Sequence, residues 1–120
     1  MMTRDLNDPH AFLPLGASAF YILLALAEGE CHGYSIAKGV ETATNGTIRL
    51  GAGTLYRVLK QMTADGWIDD AHRVDSDDPR RRYYRLTKWG RRIAAAEAAR
   101  LADVVRVARA RRLIPAAGRT

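Results

Sequence analysis

From Ala17 to Glu28 the chain is apolar on nearly every side, with Phe20, Tyr21, Ile22, Leu23, Leu24 and Leu26 crowded into one run that stops at Gly29. A helix that is hydrophobic all round is a buried one, and glycine is favoured just past a helix end, so a buried first helix is expected over 17–28. From about His32 to Thr44 the pattern thins to Ile36, Ala37 and Val40, a short half-exposed helix closed by Asn45-Gly46. Thr47-Ile48-Arg49-Leu50 is β-prone and predicts a short strand. A third helix is expected over about 52–64, where Leu55, Val58, Leu59 and Met62 form one stripe and Asp65-Gly66 ends it.

Trp67 to Val74 loses the helical period and reads as a strand, Asp75-Ser76-Asp77-Asp78-Pro79 as a turn, and Arg80 to Leu86 as the returning strand of a hairpin. Alternation in that strand turns Tyr84 and Leu86 toward the core. Thr87 is placed to cap a last helix running to about Leu113, ~40 Å long at ~1.5 Å per residue, more than so small a domain needs for its core. Residues 1–14 mix charge, Asn and two prolines and predict a flexible arm; 114–120 read as a flexible tail. The order helix, helix, short strand, helix, hairpin is that of a winged helix-turn-helix. The expected fold is therefore mainly α with a small β-hairpin: a winged helix domain over 15–86 and a long C-terminal dimerisation helix over 87–113.

Length and charge narrow the picture. At 120 residues a single domain is expected, and its net charge of +6 is unevenly spread: residues 1–79 sum to −5 and residues 80–120 to +11. That asymmetry points to a polyanionic partner. The single cysteine, Cys31, lies outside any CxxC spacing, which argues for a reducing compartment, the cytoplasm, and against a structural zinc site. The longest greasy run, 17–27, falls short of the ~20 residues a bilayer span needs, and no export signal is read. His10, His32 and His72 are scattered, so neither a metal site, a cofactor nor catalysis is expected. Cys31 reads either as a buried structural residue or as a thiol sensor near a helix N-terminus.

Opposite the apolar stripe of the third helix stand Gly53, Arg57, Lys60 and Gln61, donors suited to phosphates and base edges, although a solvated face on a core helix has the same look. Gly51, Ala52 and Gly53 leave little bulk at the helix start, so its N–H groups can approach a phosphate, and Thr54 adds a hydroxyl. Tyr56 sits at the edge of the stripe. Tyr34, Ser35 and Lys38 of the second helix are candidates for phosphate contact, as are Arg80, Arg81 and Arg82, with Arg73 and Arg85 beside them; Asp75, Asp77 and Asp78 at the hairpin tip oppose such contact. The last helix carries Ile93, Leu101, Val104, Val105 and Ala108 on a broad stripe expected to pair with a second copy. Its arginines, Arg100, Arg106, Arg109, Arg111 and Arg112, either complement the helix dipole or extend a nucleic-acid footprint.

Four motifs in order carry a resemblance: His32-Gly33-Tyr34-Ser35-Ile36-Ala37-Lys38, Gly53 to Met62 (GTLYRVLKQM), Gly66-Trp67-Ile68, and Arg82-Tyr83-Tyr84-Arg85-Leu86-Thr87 with Gly90. Together, over about residues 17–110, the sequence resembles the PadR family of bacterial transcriptional regulators. Gly51-Ala52 departs from the Ser-Pro expected before Gly-Thr-Leu-Tyr, a loss of a few tenths of a kcal/mol of capping at about most. The resemblance implies a dimeric repressor of the short form with a single C-terminal helix, whose third helix reads a partly palindromic double-stranded DNA operator. It also implies a small aromatic or hydrophobic effector, for which Trp89 is the candidate residue; Trp89 packing on the first helix is the plainer alternative. The rival reading is a protein-interaction module that keeps the winged fold without specific DNA binding. Salt dependence separates the two.

Overall fold

The computed structural model describes residues 7–71 and 81–115. A 3-10 turn, Pro9–Phe12, leads into α1 (Ala17–Ala27); then follow β1 (Cys31–His32), α2 (Gly33–Ala43), α3 (Ala52–Ala64), β2 (Ile68–Asp70), β3 (Tyr83–Leu86) and α4 (Lys88–Ala110). The three strands form one antiparallel sheet in the order β1-β3-β2, with Cys31 opposite Tyr84 and Ile68 opposite Leu86. Ile22, Leu23 and Leu26 of α1 lie at the centre, against Ile36 and Val40 of α2, Leu55, Leu59 and Met62 of α3, and Ile93 of α4. Tyr84 is buried and Leu86 packs on this core, as the strand alternation requires. The architecture is that of a winged helix with a long final helix. Among the described residues no helix is long and apolar enough to cross a membrane.

Two expectations about strands are corrected. Residues 47–50 form no strand; the third strand is Cys31–His32, just before α2. The reason lies in Thr44, whose buried hydroxyl donates to the Val40 carbonyl at 2.8 Å and accepts the Ile48 N–H at 3.1 Å, so the chain leaves α2 through a side-chain-stapled turn. Asn45 and Gly46 complete it in left-handed conformation (φ 52° and 79°). Ile48 and Leu50 then serve the core as single packed residues. Of the expected hairpin, β2 and β3 are present, while the tip and Arg73, Arg80 and His72 lie outside the described residues.

The N-terminal segment also differs from a flexible arm over 1–14. From residue 7 onward it has a core contact: the Asp8 carboxylate accepts the His10 N–H at 3.0 Å, Pro9 is buried, and Phe12 meets Trp67 and Trp89 edge to face at centroid separations of 5.7 and 6.0 Å. One aromatic side chain docks the segment, and the local composition masks it.

α4 has 23 residues, ~34 Å at ~1.5 Å per residue, yet only Gly90, Ile93, Ala94 and Glu97 are buried. Ile93, expected on a dimer face, is fully buried inside its own protomer; the stripe that stays outside runs through Leu101, Val104, Val105 and Ala108, with the two valines 51% and 40% exposed. Thr87 caps the helix as its sequence suggests, accepting the Gly90 N–H at 3.0 Å. Glu97 is the last buried residue. Its carboxylate accepts the Leu15 N–H at 2.7 Å and the Arg100 guanidinium, whose Nη2 lies 3.2 Å away. Arg100, and then Leu15, hold this carboxyl below the ordinary glutamate range against the upward pull of burial.

A Cβ on Gly90 would overlap the Trp67 carbonyl oxygen, which is backbone and cannot yield. Gly90→Ala is therefore expected to cost ~2 kcal/mol or more, read from urea denaturation. For Glu97 the sign follows from the depressed folded pKa: its stabilising contribution is present above the unfolded value of about 4.3 and lost as pH falls through the folded one. The stability gap between wild type and Glu97→Gln should accordingly be widest near neutrality and shrink in acid; a gap independent of pH would assign no role to the charge.

Candidate nucleic-acid interface

α3 is preceded by Gly51 as its N-cap, which has extended backbone geometry and no side chain to cover the first N–H groups of the helix. Residues 51–54 are all exposed. Leu55, Leu59 and Met62 are buried, and the opposite ridge of Gly53, Arg57, Lys60 and Gln61 faces solvent with no large apolar side chain on it. The i, i+4 spacing of Gly53, Arg57 and Gln61 sets them one above another along the helix.

Two open clefts lie along the Tyr56 side of this ridge, one beyond the other. One, of about 870 Å³, lies toward the sheet and is lined by His32, Tyr34, Tyr56, Lys60, Arg81 and Arg82, with Asp70 and Tyr84 also at its wall. The other, of about 760 Å³, lies toward α2 and includes Tyr34, Lys38, Asn45, Arg49, Ala52 and Tyr56. Tyr34 and Tyr56, 66% and 50% exposed, wall both. An exposed polar ridge with cation-bearing clefts beside it suits a helix laid in a major groove with phosphate contacts along its edge.

Local geometry holds the walls in place. His32 ends β1 and caps α2: its Nδ1 accepts the Ser35 N–H at 3.3 Å, which leaves the proton on Nε2, 3.1 Å from the Ser35 hydroxyl. The imidazole stacks against Tyr34 at 6.3 Å and meets Tyr83 of β3 edge-on at 5.3 Å. Gly33 is buried beneath Tyr56, and a Cβ there would stand 2.5 Å from the Tyr56 hydroxyl. The absence of a side chain at 33 is what lets Tyr56 lie across the start of α2. Sequence reasoning missed His32 as a cap, because serine, threonine, aspartate and asparagine are the residues that signal one. The His-Gly-Tyr run was the available clue.

Tyr34, Ser35, Lys38, Gly53, Thr54, Tyr56, Arg57, Lys60, Arg81 and Arg82 are exposed, and most of them line the two clefts or the ridge beside them. Arg80 lies outside the described residues. Arg85 is turned aside, its Nε donating to Asp69 at 2.7 Å, and that carboxylate raises the already high guanidinium pKa. Trp89 joins neither cleft: its ring meets Phe12 and lies under the Arg92 guanidinium at 5.2 Å. Arg106 pairs with Asp103 at 3.0 Å, and Arg109 donates to the Pro115 carbonyl at 2.8 Å. The Cys31 thiol is pushed up by burial and then by Glu28, which lowers its thiolate fraction, the reverse of what a sensor needs. Among the described residues no group of three His, Cys, Asp or Glu side chains is placed to hold a metal ion.

Fold and ridge together define a winged helix-turn-helix regulator of transcription. The chain belongs to the PadR-like family of transcriptional regulators, whose family model matches residues 22–96. It is similar to the PadR family transcription regulator from hypervirulent Clostridium difficile R20291, with 27% identity and a TM-score of 0.67, over 78% of this chain and 96% of that one. A transcriptional regulator from Clostridium thermocellum gives 26% identity and a TM-score of 0.63, over 75% and 84% of the two chains. Bacillus subtilis PadR, solved in complex with operator DNA, shares the fold at 23% identity and a TM-score of 0.57, over 65% of this chain and 45% of that one. A curated relative, an uncharacterised protein of Lysinibacillus sphaericus, is 30% identical over 70 residues, which span 58% of this chain and 64% of the relative.

His32→Ala removes the acceptor that starts α2 and should cost ~1 kcal/mol in urea denaturation, with His32→Asp recovering most of it. Equal losses in both variants would place the contribution of His32 in its ring contacts instead.

Proposed function

We propose that the protein is a repressor that binds a partly palindromic operator as a homodimer and blocks transcription by occupying it. The observation that carries this reading is the exposed polar ridge of α3 with two clefts beside it that bear Lys38, Lys60, Arg81 and Arg82. Arg57 and Thr54 read base edges, Tyr56 bridges groove and backbone, and the small residues Gly51, Ala52 and Gly53 let a phosphate approach the helix start. Tyr34, Ser35 and Lys38 on one side and Arg80, Arg81 and Arg82 on the other fix register on phosphates. The outward stripe of α4, with Val104 and Val105 exposed and Leu101 and Ala108 half-buried, buries itself against a second copy, and the two-fold axis so created sets the half-site spacing. Bacillus subtilis PadR on its operator supports the DNA-bound arrangement by likeness of fold. Release by a small aromatic or hydrophobic effector belongs to the same reading, with Trp89 at the foot of α4 as the residue to probe. No catalysis is part of it, and it places the protein in the cytoplasm.

The test is fluorescence anisotropy of the purified protein on its own upstream DNA and on a scrambled duplex across several salt concentrations, with the mass in solution measured in parallel. The expected result is a dimer with ~10³-fold or greater operator preference and a steep salt slope. Arg57→Ala should lose ~1–3 kcal/mol on the operator and less on scrambled DNA. Equal loss on both duplexes would reassign Arg57 to the backbone. No preference together with a flat salt dependence would overturn the repressor reading in favour of a protein-interaction module.

A further inference from the structure

We infer that Gln61 is a base-reading residue that selects a base carrying an exocyclic amino group, adenine or cytosine, and that Asp65 is the positioning residue that sets this preference. The inference rests on the DNA-binding reading above. Gln61 stands one turn beyond Arg57 on the outward ridge of α3 and is exposed. Its Nε2 lies 3.1 Å from Asp65 Oδ1 and 3.1 Å from Oδ2, across one turn of the helix.

An amide side chain has a donor end and an acceptor end, and a free glutamine presents either by rotating about its last bond. Here the choice is made before any DNA arrives. A carboxylate accepts hydrogen bonds and has none to donate, so the amide nitrogen faces Asp65 and Oε1 points away from it. Gln61 thus enters a groove as an oriented acceptor. In the major groove the donors are adenine N6 and cytosine N4, whereas guanine presents N7 and O6 and thymine presents O4, all acceptors that would oppose the Gln61 oxygen. Reversing the amide to suit guanine or thymine would break the bond to Asp65 and aim the Gln61 oxygen at a carboxylate. The second amide N–H shares an edge with Oε1, so on adenine it meets N7 while Oε1 takes the N6 donor, whereas the same placement on guanine sets Oε1 against O6.

The test is selection from a random duplex library by wild type, Gln61→Ala and Asp65→Ala, followed by sequencing of the retained duplexes. Both side chains are exposed, and circular dichroism melts should show the variants folded. For wild type, one position in each half-site should favour adenine or cytosine by roughly five- to tenfold over guanine or thymine. Gln61→Ala should flatten that position alone. Asp65→Ala, which frees the amide to turn, should admit guanine and thymine there while the rest of the pattern holds. A wild-type pattern retained unchanged in Gln61→Ala overturns the inference and leaves the operator reading standing. A pattern retained in Asp65→Ala but lost in Gln61→Ala overturns the positioning role of Asp65. Absence of any pattern in wild type overturns both the inference and the DNA-reading role on which it rests.

Discussion

The carbonyl of Trp67 is the point on which the arrangement turns. It accepts the Thr87 N–H at 3.0 Å, lies within reach of the Thr87 hydroxyl at 3.0 Å, and presses against Gly90 so closely that no side chain fits there. The Trp67 N–H in turn donates to the Met62 carbonyl at 2.9 Å, closing α3 through Gly66 at a φ of 78°. Four elements therefore meet at one peptide: the end of α3, the start of β2, the end of β3 and the start of α4. The indole ring above it is buried against Phe12, and its Nε1 has no hydrogen-bond partner among the described residues. An unpaired buried donor costs about 1–3 kcal/mol, so ring packing at this junction outweighs a satisfied polar atom. The consequence is rigidity, because neither the polar ridge of α3 nor α4 can swing without parting Gly90 from that carbonyl.

The same junction explains what the sequence alone reveals. α3 and α4 were legible because each repeats its apolar positions over several turns, α1 because it is apolar all round, and α3 begins and ends within a residue of where its stripe and Asp65-Gly66 place it. β1 was not, since a two-residue strand has no period to read; it exists because β3 offers an edge beside it. Residues 47–50 had the propensity but no free neighbour, and the Thr44 hydroxyl claimed the Ile48 N–H first. Propensity proposes strands, and pairing decides them.

α4 shows a subtler limit. Ile93, Leu101, Val104, Val105 and Ala108 look like one stripe in sequence, yet Ile93 is sealed in the protomer and the valines stand in solvent. Apolar spacing reports that a face is buried somewhere, not against what. The boundary is Glu97, a charged residue among the alanines, and it marks the turn at which the helix leaves its own domain. Polar anchoring to Leu15 and Arg100 at that exit fixes the direction of the remaining turns without adding apolar surface that would compete with the exposed stripe for a partner.

Charge behaves in the same way. The surplus of +11 in residues 80–120 draws attention to the C-terminal third, but Arg85, Arg100, Arg106 and Arg109 each bond an acceptor within the chain. The clefts beside α3 instead combine Lys38 and Lys60 from the acidic part of the sequence with Arg81 and Arg82 from the basic part. A sum over sequence therefore names the sign of the partner without mapping where it touches. What shapes the clefts is local and short-range: Gly33 giving room to Tyr56, His32 holding the start of α2, and a helix ridge from which large apolar side chains are absent. At an ionic strength of 0.15 M charges more than ~8 Å apart are largely screened, so the cations at the cleft edges act on what lies close to them and the summed charge of the C-terminal third adds little there.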